Sequence, residues 1–444
     1  MLMRACLSIA LLATLPCFCQ VVPAAAGDVP VGEEGTPMVT PPPVSGAAYP
    51  TATGNEMRSN YLRGGMTFET AYNNAVEYST GNPSADVTYS IRPTIALDRT
   101  TTRVHQTLAY SPGFTFYQRM SAYNEQNQDF SYNLEYRMSE YLTFQMREFF
   151  DKSSSVFNQE NPYAGATISG STQSTVAGAI APFADRMSNA VSGEVSYQVS
   201  ANRMIGGGGT STKLNYPTSS EVPGLCNSDS LGGSAFYNLR LSRSQYIGGT
   251  YQFSRFLSCP ASTQSDTTTH AFNLFYTLYL RHALSISLLG GPEHYATAQA
   301  PNPSFASWAP SVAASVSWQA GRSSLAASYS RSVSAGGGLS GAFDSNGVNA
   351  HARWQLTRSW AIDLGGSYES NRNVDSLLAL SNPGGHTASG TVLLQRKIGA
   401  NTVVEAGYQR QHQRYRSIAA ISALPDNNRA YVSVSYQFER PLGR

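Results

Sequence analysis

Nothing in this sequence can cross a bilayer as a helix. The apolar run Ala5–Leu15 falls short of the ~20 residues a helical span needs, and no later segment approaches it. Charge is scarce as well. Asp, Glu, Lys and Arg make up 13% of the chain, about half the ~25% of ordinary soluble domains. The formal net charge of +2 gives no electrostatic reason to expect nucleic acid as a partner. Cysteine is almost absent from the body of the chain. Cys6, Cys17 and Cys19 crowd the start, leaving Cys226 and Cys259, whose spacing does not suit a zinc site. In an oxidising compartment these two are a candidate disulfide. Catalytic signatures are missing: no Gly-x-Ser-x-Gly elbow, no phosphate loop, no His-Glu-x-x-His. The histidines (His105, His270, His282, His294, His351, His386, His412) are scattered. His386 and Ser389 fall on opposite faces of their strand, and His294 beside Glu293 reads as a polar pair at a loop end. No enzyme activity, cofactor or metal is expected.

What is present is alternation. Few charges, 26 Tyr, 38 Gly and a mean hydropathy of -0.25 suit a sheet whose apolar face is diluted by a polar one. The last strand shows it most clearly. Ala430, Val432, Val434, Tyr436 and Phe438 share one face; Tyr431, Ser433, Ser435 and Gln437 share the other. The same period starts at Tyr61 and recurs to the end. It is least legible over Arg203–Leu214, where Gly206–Gly209 erase the pattern. Pro93 and Pro112 sit uncomfortably in two strands, since proline removes a ladder hydrogen bond. Glu148 breaks an otherwise apolar face, which places it at the head-group level or calls for a bulge that flips the register. The expected fold is all-β: a single antiparallel transmembrane β-barrel of about 18 strands (16–20).

Two independent features support this. Trp308 and Trp318 share one face ten residues apart, roughly 33 Å along a strand at ~3.3 Å per residue. A tilt of about 40–45° reduces this to roughly 24 Å, close to the ~25 Å apolar band of outer-membrane barrels. With Trp354 and Trp360, which flank a short turn, they read as an aromatic girdle. The joins also sort by parity: short turns after even-numbered strands, longer Gly- and Ser-rich loops after odd ones. Short periplasmic turns alternating with longer extracellular loops are the barrel pattern, and an even count leaves both termini in the periplasm.

Before the first strand, Arg4, the apolar run and Ala24-Ala25-Ala26 read as a signal peptide over residues 1–26. Residues 27–58 read as a disordered Pro-rich periplasmic leader, 59–438 as the barrel and 439–444 as a C-terminal tail. The lumen face then carries mixed charge: Glu69, Arg92, Asp98, Glu135, Arg137, Arg147, Glu194, Arg240, Asp363, Glu369 and Glu405 are the pore-lining candidates. The longest loop, from about Lys152 to Arg186, is a candidate constriction, with Glu160, Asp185 and Arg186 as its polar lining.

Read as a barrel, the chain resembles a group of porin-like outer-membrane β-barrel proteins from acidobacteria. The resemblance is carried by Asn60-Tyr61-Leu62-Arg63-Gly64-Gly65, Ala181-Pro182-Phe183-Ala184-Asp185, Ile418-Ala419-Ala420-Ile421-Ser422-Ala423 and the stretch from Val434 to Arg444. It implies fold and cell outer-membrane location in a Gram-negative-type bacterium, and brings no site residues with it. Outer-membrane lipids, the barrel assembly machinery and small hydrophilic solutes are the expected partners. The first expectation for function is passive diffusion of small hydrophilic solutes. Export of a surface polysaccharide and a plugged structural or binding barrel are the alternatives.

Overall fold

The structure is a computed structural model describing residues 60–79, 82–154, 157, 185–217, 225–259, 264–280, 284–299, 304–374, 384–415, 418 and 425–442. The expected signal peptide and leader, and Glu160, lie outside these residues. Eighteen strands form one sheet. The first six are β1 (Tyr61–Ser79), β2 (Asn82–Thr100), β3 (Val104–Tyr117), β4 (Glu125–Arg137), β5 (Leu142–Ser153) and β6 (Arg186–Ser200). Then come β7 (Arg203–Asn215), β8 (Ser228–Ser242), β9 (Gln245–Ser258), β10 (Ser265–Leu280), β11 (Leu284–Gln299) and β12 (Phe305–Ala320). The last six are β13 (Ser323–Ser334), β14 (Phe343–Gln355), β15 (Trp360–Asn373), β16 (Gly384–Ile398), β17 (Thr402–Tyr415) and β18 (Asp426–Pro441).

Each strand pairs antiparallel with the next, and β18 returns to β1 from Pro441 opposite Tyr61 to Arg429 opposite Asn73. Closure removes the sheet's edges. Glu439 belongs to the wall rather than to a tail: β1 begins early enough to pair with it, and Arg63 holds its carboxylate at 3.2 Å.

The outer face carries exposed Phe68, Tyr89, Phe116, Leu274, Leu288, Trp308, Trp354, Val392, Tyr408 and Phe438. A closed sheet with such an exterior is at home in hydrocarbon, where every backbone polar group must be satisfied within the sheet. Trp318, Trp354 and Trp360 lie on this face at one end of the strands and Trp308 towards the other. The Arg396 guanidinium covers Trp360 at 5.1 Å.

The sequence puzzles resolve in the register. Pairing Ile91 with Phe114 and Ile95 with Tyr110 places Pro93 opposite Pro112. Likewise Pro292 faces Pro310. In the first pair two residues without N–H meet at one gap in the β2–β3 ladder; in the second the β11–β12 register runs on through the prolines, and the breaks fall beside them, between β10 and β11 and between β12 and β13. Glycines next to aromatic rings solve a second problem. Phe438 lies on Gly64, Phe236 on Gly206, Phe275 on Gly248 and Tyr431 on Gly407, each across from its glycine. A Cβ at any of these glycines would occupy the ring's place. This is why the Gly-rich β7 is a strand without visible alternation.

Glu148 is not flipped by a bulge. The register runs unbroken from β4 through β5 to β6, with Glu148 opposite Tyr132 and Val191 on the outer face. It stands six residues in from Leu142, roughly 14 Å along the membrane normal at ~3.3 Å per residue and the usual tilt, deeper than a head group. The parity of loop lengths also has an exception. β1 and β2 are joined across two residues, but each is 19 residues long, so length expected in a loop is paired as strand.

Candidate functional site

Cross-strand partners share a face, so the registers fix which side chains line the interior. All eleven pore-lining candidates fall on the lumen face. They are not evenly spread. From β14 round to β6 every strand except β3, which offers His105, contributes an acidic or basic side chain. From β7 to β13 the described lumen face carries Arg240 and Glu293 as its only charges; the rest is Ser, Thr, Asn, Gln, Gly, Ala, a few rings and the buried Met204, Leu214 and Leu289.

The charged wall is a connected ladder. His351 and Arg353 on β14 face Asp363 on β15, at 3.9 and 3.6 Å. Arg353 also donates to Gln395 on β16 at 3.2 Å. Gln395 donates to Glu405 on β17 at 3.0 Å, and Ser433 on β18 donates to the same carboxylate at 3.4 Å. At the closing seam Arg429 pairs with Glu69, and Thr67 meets Ser435 at 2.8 Å. Five adjacent strands and the seam are thus joined through side chains on the lumen side. Further round, Glu135 and Arg137 pair at 3.2 Å near the short-turn mouth, Asp98 lies 3.9 Å from His105, and Arg92 and Arg147 line the same wall. Glu194 is buried. Arg240 donates to the Ser242 carbonyl at 3.3 Å, at the end of its strand.

Glu293 and His294 do not form a pair. They are neighbours within β11 and face opposite sides: Glu293 is buried in the lumen, while the His294 ring meets Trp308 outside at 5.0 Å. Glu369 is likewise sealed in, accepting from Asn371, which also donates to the Tyr415 hydroxyl at 3.1 Å.

The lumen differs along its length. Towards the short turns the charged wall is partly exposed; towards the ends that carry the longer loops, lumen side chains are buried on almost every strand. Among the described residues, one segment accounts for much of this: Ala335–Ala342, between β13 and β14. β13 pairs with β12 only up to Arg331 opposite Val312; beyond that it stays on β14 and leaves its other neighbour. Pro310 has no N–H to offer at the point of departure. The hairpin tip then lies over the lumen side of β11 and β12. Glu293 accepts the Val333 N–H at 3.0 Å, and Val333 and Ala342 pack on Tyr295.

The tip is fastened on the far side too. Cys226 donates its N–H to the Gly338 carbonyl at 2.8 Å, and Gly341 donates to Ser258 Oγ at 3.4 Å. The Tyr216 hydroxyl reaches the Gly337 carbonyl at 3.5 Å, and burial pushes that hydroxyl up from its ordinary range, so it remains a donor. Gly336, Gly337, Gly338 and Gly341 all have positive φ, which lets eight residues turn inside a barrel. Leu339 at the tip joins Leu214, Tyr216, Leu225, Phe343, Tyr415 and Ile418 in one buried apolar cluster that links opposite parts of the wall. Cys226 and Cys259 are joined by a disulfide, tying the platform under the tip to the end of β9.

The segment expected to narrow the pore lies mostly outside the described residues. Of it, Phe157 is described, and its ring sits 5.7 Å from the Arg429 guanidinium on the lumen face of β18. Asp185 accepts from Ser154. Arg186 is buried with Asp151 at 3.2 Å, a wall ion pair. Reading the sequence missed the hairpin tip, whose one local signal is Ala335-Gly336-Gly337-Gly338-Leu339-Ser340-Gly341-Ala342. It also missed Arg353, Gln395 and Arg429, which lumen parity alone would have found.

Fold and interior together define a closed membrane barrel with a polar, partly occluded lumen. No protein-family model matches the chain, and no curated protein does. Among solved structures it is similar to OccAB4 of Acinetobacter baumannii, with 8% identity and a TM-score of 0.41 over 87% of this chain and 100% of that one. It is similar to OccK2 (OpdF) of Pseudomonas aeruginosa, with 10% identity and a TM-score of 0.43 over 86% and 98%. A third similar structure is the outer membrane protein OpdK of the same organism, at 9% identity and a TM-score of 0.40 over 85% and 99%.

Proposed function

We propose that the protein is an outer-membrane channel for small hydrophilic solutes in a Gram-negative-type bacterium, placed there by the barrel assembly machinery. The observation that carries this reading is the ladder from His351 to Glu69. Charged side chains that line an interior and remain partly exposed need water beside them, and a hydrated lumen of 18 strands is wide enough to pass solute. Diffusion is gated in size by the β13–β14 tip. Both signs of charge occur on the wall, so selectivity between cations and anions is weak.

A polysaccharide exporter would need aromatic rings free to stack on sugars along the passage. Phe236 and Phe275 are instead laid on glycines and buried. The plugged barrel has a specific observation in its favour, the apolar cluster round Leu339. Single-channel recording of the refolded chain in a planar bilayer separates the two. Stepwise conductance establishes the channel. Silence from a barrel shown to be folded by heat-modifiable gel mobility rejects it in favour of the plug.

A further inference from the structure

On the outer face near the extracellular rim, arginines are generally met by a carboxylate on the next strand. Arg255 holds Asp266 at 3.0 and 2.6 Å, and Arg331 holds Asp344 at 3.1 and 2.8 Å. From β15 to β18 that balance fails. Arg372, Arg410 and Arg414 stand there with His386 and His412, and the carboxylates within reach are already engaged. Asp344, opposite Arg372, gives both oxygens to Arg331. Asp426 is taken by Arg410 at 3.2 Å and His412 at 3.1 Å. Arg372 and Arg414 are exposed and have no ion-pair partner among the described residues. Arg414 lies opposite His386 and Arg372 opposite Gly384, on neighbouring pairs of strands. The rings of Tyr368, His386 and His412 follow one another across three strands, 6.1 and 5.6 Å apart.

Towards the membrane from the cluster, on β16 to β18 and across the seam to β1 and β2, small side chains leave a shallow, open depression. An apolar groove of about 560 Å³ is bounded by Val392, Tyr408, Val432 and Tyr72, with Ala406 and Ala430 as its floor. Along β17 the outward side chains run Tyr408, Arg410, His412, Arg414, from groove to cluster without a break.

We propose that groove and cluster form one site for a phosphorylated glycolipid of the outer leaflet. An acyl chain lies in the groove, the phosphates meet Arg372 and Arg414, and a sugar ring rests on the Tyr368–His386–His412 row. The site rests on the outer-membrane reading above, because the cluster lies at the ends of the strands away from the short turns. Charge complementarity selects a phosphorylated head group, and two separate guanidinium groups suit a ligand with more than one phosphate.

The test is native mass measurement of the refolded chain in detergent. The probes are purified bis-phosphorylated lipid A, the same lipid dephosphorylated, and phosphatidylglycerol. One lipid A per barrel is expected, with retention falling about tenfold without its phosphates or in R372E/R414E. A406F/A430F, which fills the groove, lowers retention with the charges intact. K213E, elsewhere on the rim, leaves it unchanged. Equal retention by folded R372E/R414E, or equal binding of phosphatidylglycerol, overturns the proposal while leaving the channel reading in place. A chain that never becomes heat-modifiable in lipid bilayers overturns the membrane reading, and the site with it.

Discussion

Phe438 covers the backbone of Gly64 across the seam where the last strand meets the first. Gly64→Ala puts a methyl group where the ring lies, and overpacking of this kind costs about 1–3 kcal/mol. Unfolding in urea is expected to report that loss. The loss should largely vanish in a Phe438→Ala background, because the collision is with that ring alone. Glu148 works in the opposite direction. A carboxyl on the outer face, opposite Tyr132 and Val191, is out of place in hydrocarbon. Glu148→Leu is therefore expected to raise stability by about 1–2 kcal/mol, less than the cost known for a midplane Arg or Lys. Both residues could be assigned a face from sequence, since face depends on parity alone. What each one touches across the sheet depends on register, and one strand read in isolation holds no register. The facing prolines show the same limit: Pro93 and Pro112 look like two defects in the sequence and become one gap once paired.

At the scale of elements, the β13–β14 hairpin is the departure from a plain barrel. Its strands were legible from alternation through Tyr329 and from Val348 onward. Its inward fold was not, because it is written in missing hydrogen bonds to β12 and in contacts with β7, β9 and β11 that lie far away in the chain. The longest loop attracted attention by length, whereas eight residues were enough here. Deleting Gly336–Gly341 is expected to raise single-channel conductance severalfold while leaving heat-modifiable folding intact, since the wall pairs without the tip. Glu293→Ala removes the acceptor of the Val333 N–H, and conductance that flickers between two levels should replace a steady one. Reducing the Cys226–Cys259 bridge should act in the same direction, because Cys226 carries one of the tip's anchors.

For the whole molecule, strand number and closure followed from sequence because period, loop parity and the aromatic girdle all count the same wall. The distribution of charge round that wall did not, since it requires knowing which strands are neighbours after closure. Arg353 sits at the head of the ladder, bonded to β15 and β16 at once. Arg353→Glu is expected to move the reversal potential in a salt gradient towards cation preference, with the unaltered channel close to zero. The two unlike walls also make the passage lopsided across its width, charged on one side and largely uncharged on the other. A solute with an ionised group at one end and hydroxyls at the other is expected to turn its ionised end to the charged wall before it advances. Solutes of equal size and net charge are then expected to cross at different rates according to how far their ionised and hydroxyl groups stand apart, so that positional isomers separate where width alone would not part them.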